Sequence, residues 1–183
     1  MKKKFALTIF ILFALRALDL LLTYKYNPNL NYEYNPLVSI FGASWTGLIG
    51  AQLVLLMVVA FFAWYYFKLP AVKVTEENLN LPDFVYCYFF HKARPWPERM
   101  LSMPKKLNSH MIFVGFMVTA SAVLVSLFAI INNFLLLNNT GWYLHFLAYH
   151  YRLFFPAVYV LIILGSFFYF IITQYRNYMK IQY

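Results

Sequence analysis

Four stretches of this chain, each about twenty residues long and strongly apolar, leave it few ways to fold. They lie at about 5–24, 46–67, 111–136 and 153–175. A helix rises about 1.5 Å per residue, so each reaches about 30 Å, the thickness of a bilayer's hydrocarbon core. In lipid every backbone N–H and C=O needs a partner within the protein, and a helix provides it inside one segment. Hydrophobic residues make up 63% of the chain and charged residues 11%, against about 25% charged in ordinary soluble domains. The expected fold is therefore all-α: a polytopic membrane bundle of four transmembrane helices, forming one integral membrane domain over residues 1–183.

The start, Lys2-Lys3-Lys4 followed by an apolar run from Phe5, imitates a signal peptide. The run continues to about Tyr24, carries Arg16 and Asp19, and has no small-x-small cleavage site after it. An uncleaved first span is expected. The second span ends in Trp64-Tyr65-Tyr66-Phe67-Lys68, an aromatic belt with a snorkelling lysine. Gly47 and Ala51 in that span, and Gly115, Thr119, Ala122 and Ser126 in the third, offer faces that another helix can approach closely. Asn132-Asn133 reads as the end of the third span, residues 142–152 as a short interfacial helix, and Pro156 as lying in the first turn of the fourth span. The aromatic segment 84–90 is too short to span and is expected on the membrane surface, with Cys87 as an inert interfacial thiol.

Basic residues set the expected orientation. Lys2, Lys3, Lys4, Lys68, Lys73, Lys92, Arg94, Arg99, Lys105, Lys106, Arg176 and Lys180 fall on one side, and only Lys25 and Arg152 on the other. That bias puts both termini in the cytoplasm. The basic loop 69–109 is expected to rest on anionic lipids of the bilayer. The net charge of +9 flanks the spans instead of lining a soluble face, so nucleic acid is not an expected partner.

Arg16 and Asp19 stand out because charge is costly at that depth. They are three residues apart and share a helix face, which Thr23 continues four residues later. Asp19 lies about 21 Å along the helix from Phe5. Such residues face protein or a water-filled cavity, as a functional face or as a structural ion pair. The loop that follows carries Glu33-Tyr34-Asn35-Pro36. Glu33 and Asn35 can hang over the same face, or simply form a turn and cap a helix.

Asp19, Thr23 and then Glu33-Tyr34-Asn35-Pro36 together resemble the Asp…Thr…Glu-x-Asn-Pro signature of small uncharacterised prokaryotic integral membrane proteins grouped under a domain of unknown function. The resemblance covers roughly residues 15–40. It implies no activity, but it groups these residues as a unit.

His145 and His150 are the other candidates on the outward side. Five residues apart on a helix they diverge by about 140°, a poor pair for one metal ion. Either one alone can join Asp19 and Glu33 as a ligand or general base; the plainer reading is of interfacial rings beside Trp142, Tyr143 and Tyr149. No metal motif is present and the residues point to no particular cofactor. The third and fourth spans carry no carboxylate, which excludes the aspartic dyad of lipoprotein signal peptidases and argues against a proton-coupled transporter.

The first functional expectation is a non-enzymatic subunit or accessory protein, its Arg16, Asp19, Thr23, Glu33 and Asn35 region packing against partner helices or a second copy. The alternative is a membrane-embedded enzyme with an outward-facing site at Asp19, Glu33, Asn35 and His145 or His150, acting on a lipid-linked or peptide substrate. A small transporter comes third.

Overall fold

A computed structural model describes residues 2–30, 38, 42–70, 72–90 and 107–182. The described residues form five helices and no strand: α1 (Lys2–Tyr26), α2 (Trp45–Lys68), α3 (Leu81–Phe90), α4 (Leu107–Leu137) and α5 (Gly141–Gln182). Four of them, α1, α2, α4 and α5, are long and apolar enough to cross a membrane.

Aromatic contacts fix their directions. Phe5 meets Trp64 and Phe67, while Tyr24 meets Trp45, so α1 and α2 run antiparallel. Tyr66 meets Phe116, and Phe113 meets Phe167 and Phe170, so α4 reverses α2 and α5 reverses α4. One end of the bundle thus gathers the start of α1, the end of α2, the start of α4 and the end of α5; it carries Lys2, Lys3, Lys4 and Lys68 and is called the basic end below. The opposite end is the far end.

The central helix is α4, which packs on α1, α2 and α5. Gly115 explains how closely α2 can lie on it. A Cβ there would sit 2.6 Å from the Phe62 carbonyl oxygen and 2.9 Å from Tyr66 Cβ, so only glycine permits this backbone approach. Thr119 and Ser126, on the same stripe, turn their hydroxyls back to the Gly115 and Ala122 carbonyls at 2.7 and 2.6 Å, which satisfies them without a neighbour. Gly47 is different: a Cβ there would meet only Ala43 and Ser44 of its own segment, so no other helix approaches at that point.

Three expectations are corrected. Asn132 and Asn133 do not end a helix, because α4 continues to Leu137. Residues 142–152 are not a separate interfacial helix. They are the first turns of α5, a single helix of 42 residues with Pro156 well inside it. Pro156 removes one intrahelical N–H donor, yet transmembrane helices tolerate this where neighbours hold both arms. Here Tyr143 and Leu147 pack on Leu136 before the proline, with Phe154 and Phe155 against the same cluster, and Phe167 and Phe170 pack on Phe113 after it.

The third concerns 84–90, which is not a free surface segment but packs against α4 and α5. Asn80 Oδ1 accepts from the Asp83 N–H at 2.9 Å and starts α3. Phe84 and Tyr88 are then buried with Ile112 of α4 and Phe170, Ile171 and Tyr178 of α5. Hydrogen bonds tie the preceding segment down: the Tyr178 hydroxyl accepts from Leu79 N–H at 3.0 Å and donates to the Glu76 carbonyl at 2.9 Å, and Tyr175 donates to the Leu79 carbonyl at 3.2 Å. Cys87 is completely buried, its thiol 3.3 Å from Glu76 Oε2, and has no access to a modifying enzyme. The far-C-terminal turns of α5 therefore serve as a post for α3.

Candidate functional site

The four buried residues of α1 are Leu12, Arg16, Asp19 and Thr23. Steps of four, three and four put them on one stripe of the helix. The stripe is inverted relative to a soluble helix. Its interior side is charged and polar, while Phe10, Phe13, Leu7 and Leu21 are exposed. The buried face of α4 is likewise mostly small or polar, with Ser109, Gly115, Thr119, Ser126 and Asn132. Large apolar side chains outside and polar ones inside suit a hydrocarbon surround, where an outward-facing charge has nothing to pair with. With its four long apolar helices, the chain has the build of an integral membrane protein.

The α1 stripe meets α4 at Asn133. The two hydrogens of Asn133 Nδ2 go to Asp19 Oδ1 at 2.8 Å and Thr23 Oγ1 at 2.9 Å. Asn133 Oδ1 accepts from Asn132 Nδ2 at 3.2 Å. Asn132 Oδ1 in turn accepts from the Tyr143 hydroxyl near the start of α5. The donors thus run in one direction, from Tyr143 through both asparagines to the carboxylate. Each bond polarises the next, and a carboxylate that only accepts is the natural terminus of such a chain. Arg16 closes the other side, its Nη1 3.6 Å from Asp19 Oδ2. That is an ion pair but longer than a direct hydrogen bond, so the guanidinium keeps donor capacity.

Three helices are joined by this network, and it sits at the far end. Asp19 is seven residues before the end of α1, and Gln52 is seven residues after the start of α2, so the two lie at one level, each about 10 Å from its helix end. Gln52 is buried, and among the described residues its Oε1 has no partner; the same holds for Asn27 Nδ2, just beyond α1. The α1–α2 connection is pinned nearby by Trp45 Nε1, which donates to the Pro28 carbonyl at 2.7 Å.

Of the residues singled out by sequence, Arg16, Asp19 and Thr23 come together. Among the described residues Asp19 and Thr23 meet Asn133 of α4, a helix of the same chain. Glu33 and Asn35 lie outside the described residues. His145 and His150 are exposed on α5, with their rings against Tyr149 and Phe146. Among the described residues no three His, Cys, Asp or Glu side chains gather to hold a metal ion.

Asn132, Asn133, Tyr143 and Gln52 were not among the candidates. For Asn133 a signal was present: Ser126 and Asn133 are seven apart, so the small-residue stripe of α4 leads directly to it. Reading the Asn-Asn pair as a helix stop hid that continuation. Comparisons with protein-family models, curated proteins and solved structures give no significant match.

Proposed function

We propose that this chain is a non-enzymatic accessory protein or subunit of a membrane complex, with the Arg16–Asp19–Asn133 network as the internal lock that presents its outer faces. The observation that carries this reading is the use of the charged pair. Asn133 directs both its donor hydrogens to Asp19 and Thr23, so the carboxylate is employed in holding α1 to α4. The geometry of α5 supports the same view. At 42 residues it is about 63 Å long, it packs mainly on α4, and it leaves wide apolar flanks for a neighbouring helix. The distribution of Lys and Arg favours cytoplasmic termini, and the Asp…Thr…Glu-x-Asn-Pro resemblance favours a prokaryotic inner membrane. The Asp…Thr…Glu-x-Asn-Pro resemblance fits this role as a way to fix the α1 exit.

A second reading keeps an outward-facing enzymatic site that adds Glu33 and Asn35 to Asp19. The orphan Gln52 Oε1 and Asn27 Nδ2 at the same end favour it, since a polar substrate group could complete them. Purification in mild detergent from cells expressing the protein at native level, followed by native mass spectrometry, separates the two. The accessory reading expects a partner at fixed stoichiometry, lost together with thermal stability in Asp19→Asn. A protein that purifies alone, and whose Asp19→Asn form is equally stable while its cells lose a phenotype, overturns that reading in favour of the site.

A further inference from the structure

A second feature lies at the other end of the bundle. Between α1, α2, α4 and α5 there is a partly open cavity of about 520 Å³, bordered by Thr8, Tyr66, Phe116, Thr119, Gly165 and Tyr169 among others. Its size is that of a ligand site, about 300–1,000 Å³. Its wall is aromatic: Tyr66 meets Phe116 edge-on, and Phe116 stacks on Tyr169 with an interplanar angle of 13°. Polar groups around it are withdrawn. The Thr119 hydroxyl is bonded to its own helix at Gly115; Ser166, also on the border, is buried, and among the described residues its hydroxyl has no partner. What remains to touch an occupant is carbon. Gly165 borders open space: a Cβ added there would meet nothing within 4 Å, so a larger side chain at this position can enter the cavity.

The position of the cavity identifies the source of the occupant. Thr8 is six residues into α1 and Phe67 is next to the last residue of α2, so one end of the cavity is within about 10 Å of those helix ends, near headgroup depth, while Val123, Leu124 and Gly165 carry it toward the middle of the bundle. Lys2, Lys3 and Lys4 of α1 and Lys68 of α2 are exposed at that end. Lysines at such a position attract anionic headgroups. An empty apolar recess would also forgo the dispersion contacts that a hydrocarbon chain supplies.

We propose that this cavity is a binding site for an anionic glycerophospholipid, with one acyl chain lying against Phe116 and Gly165 and the phosphate facing the lysines of α1 and α2. This inference needs only the membrane location and is independent of how the far-end network is used. The test is native mass spectrometry of the purified full chain titrated with phosphatidylglycerol or phosphatidylcholine. The wild type should retain one phosphatidylglycerol in preference to phosphatidylcholine. Gly165→Phe fills the open space and should lower that retention at least about tenfold with the melting temperature in lipid-free detergent unchanged. Lys4→Gln with Lys68→Gln should abolish the preference between the two lipids. Photolabelling of the unaltered protein with phosphatidylglycerol carrying a diazirine in its acyl chain covers the case of a variant that fails to fold; the label should map to the peptides around Phe116 and Gly165. Equal retention of both lipids by the wild type, unchanged retention in a folded Gly165→Phe protein, or a label confined to other segments would overturn the proposal.

Discussion

At the basic end, Phe84 and Tyr88 of α3 sit among Ile112, Phe170 and Tyr178. At the far end, Asp19 and Thr23 of α1 meet Asn133, with Asn132 and Tyr143 behind it. The first junction is aromatic, holding through area and ring packing that depend little on exact direction. The second is a line of hydrogen bonds, each of which has one geometry that works. An aromatic cluster loses contacts in proportion to what is removed. A polar chain around a charge fails more abruptly, because deleting one member strands the next.

The largest expected effect comes from stranding the charge. Asp19→Ala should destabilise the bundle by about 3–5 kcal/mol, since Arg16 would stay buried without its partner. The double variant Arg16→Met with Asp19→Leu should be less destabilising than Asp19→Ala alone. Reversible unfolding in mixed micelles checks both, and a double variant as unstable as the sum of its parts would break the contrast between the two ends. Phe84→Ala should cost a similar or slightly smaller amount, about 3–4 kcal/mol, from lost burial and the cavity left behind. It should also loosen the 72–90 segment selectively, seen as faster amide exchange there while α1 stays protected.

A smaller effect is expected for Asn133→Leu. Membrane hydrogen bonds average about 0.6 kcal/mol and reach about 1.7, and two are lost to α1, so the expected loss is about 1–3 kcal/mol. A neutral Asn133→Leu would show that the polar chain holds nothing. The smallest effect carries the opposite sign. Tyr88 is buried, and among the described residues its hydroxyl has no partner; Tyr88→Phe should be neutral or stabilising by about 1 kcal/mol. Burial, and secondarily the neighbouring Tyr66, push the Tyr88 phenol above the usual tyrosine range. The folded protein thus keeps it neutral where the unfolded chain ionises it. Stability should fall as pH rises past about 10, the ordinary tyrosine value, and Tyr88→Phe should remove part of that slope.

How far the candidate site was legible depended on cost and on continuity. Arg16 and Asp19 could be found because charge inside an apolar run is expensive anywhere in lipid, whatever it contacts. Thr23 followed from helix periodicity. Asn133 was obscured because asparagine both stops helices and fills polar interiors, and only the path of α4 distinguishes these. Pro156 posed the same ambiguity: a helix start by local preference, a helix interior once Leu136 and Phe113 pack on either side of it. Segment 84–90 was recognised as too short to span, but its partner, the end of α5, lies about ninety residues away in the chain, where Tyr175 and Tyr178 meet Phe84.

By itself the sequence determined the solvent, the helical class and the four long apolar helices, because those follow from length and apolarity summed over about twenty residues and need no partner. It also determined that α1 must turn Arg16 and Asp19 inward. Only the tertiary structure decided what they turn toward. Which helix receives Asp19, which asparagine completes it, and where a space is left at Gly165 depend on the crossing of α4 with its neighbours. That crossing is set by pairwise packing at points such as Gly115, where contact between residues far apart in sequence decides the geometry.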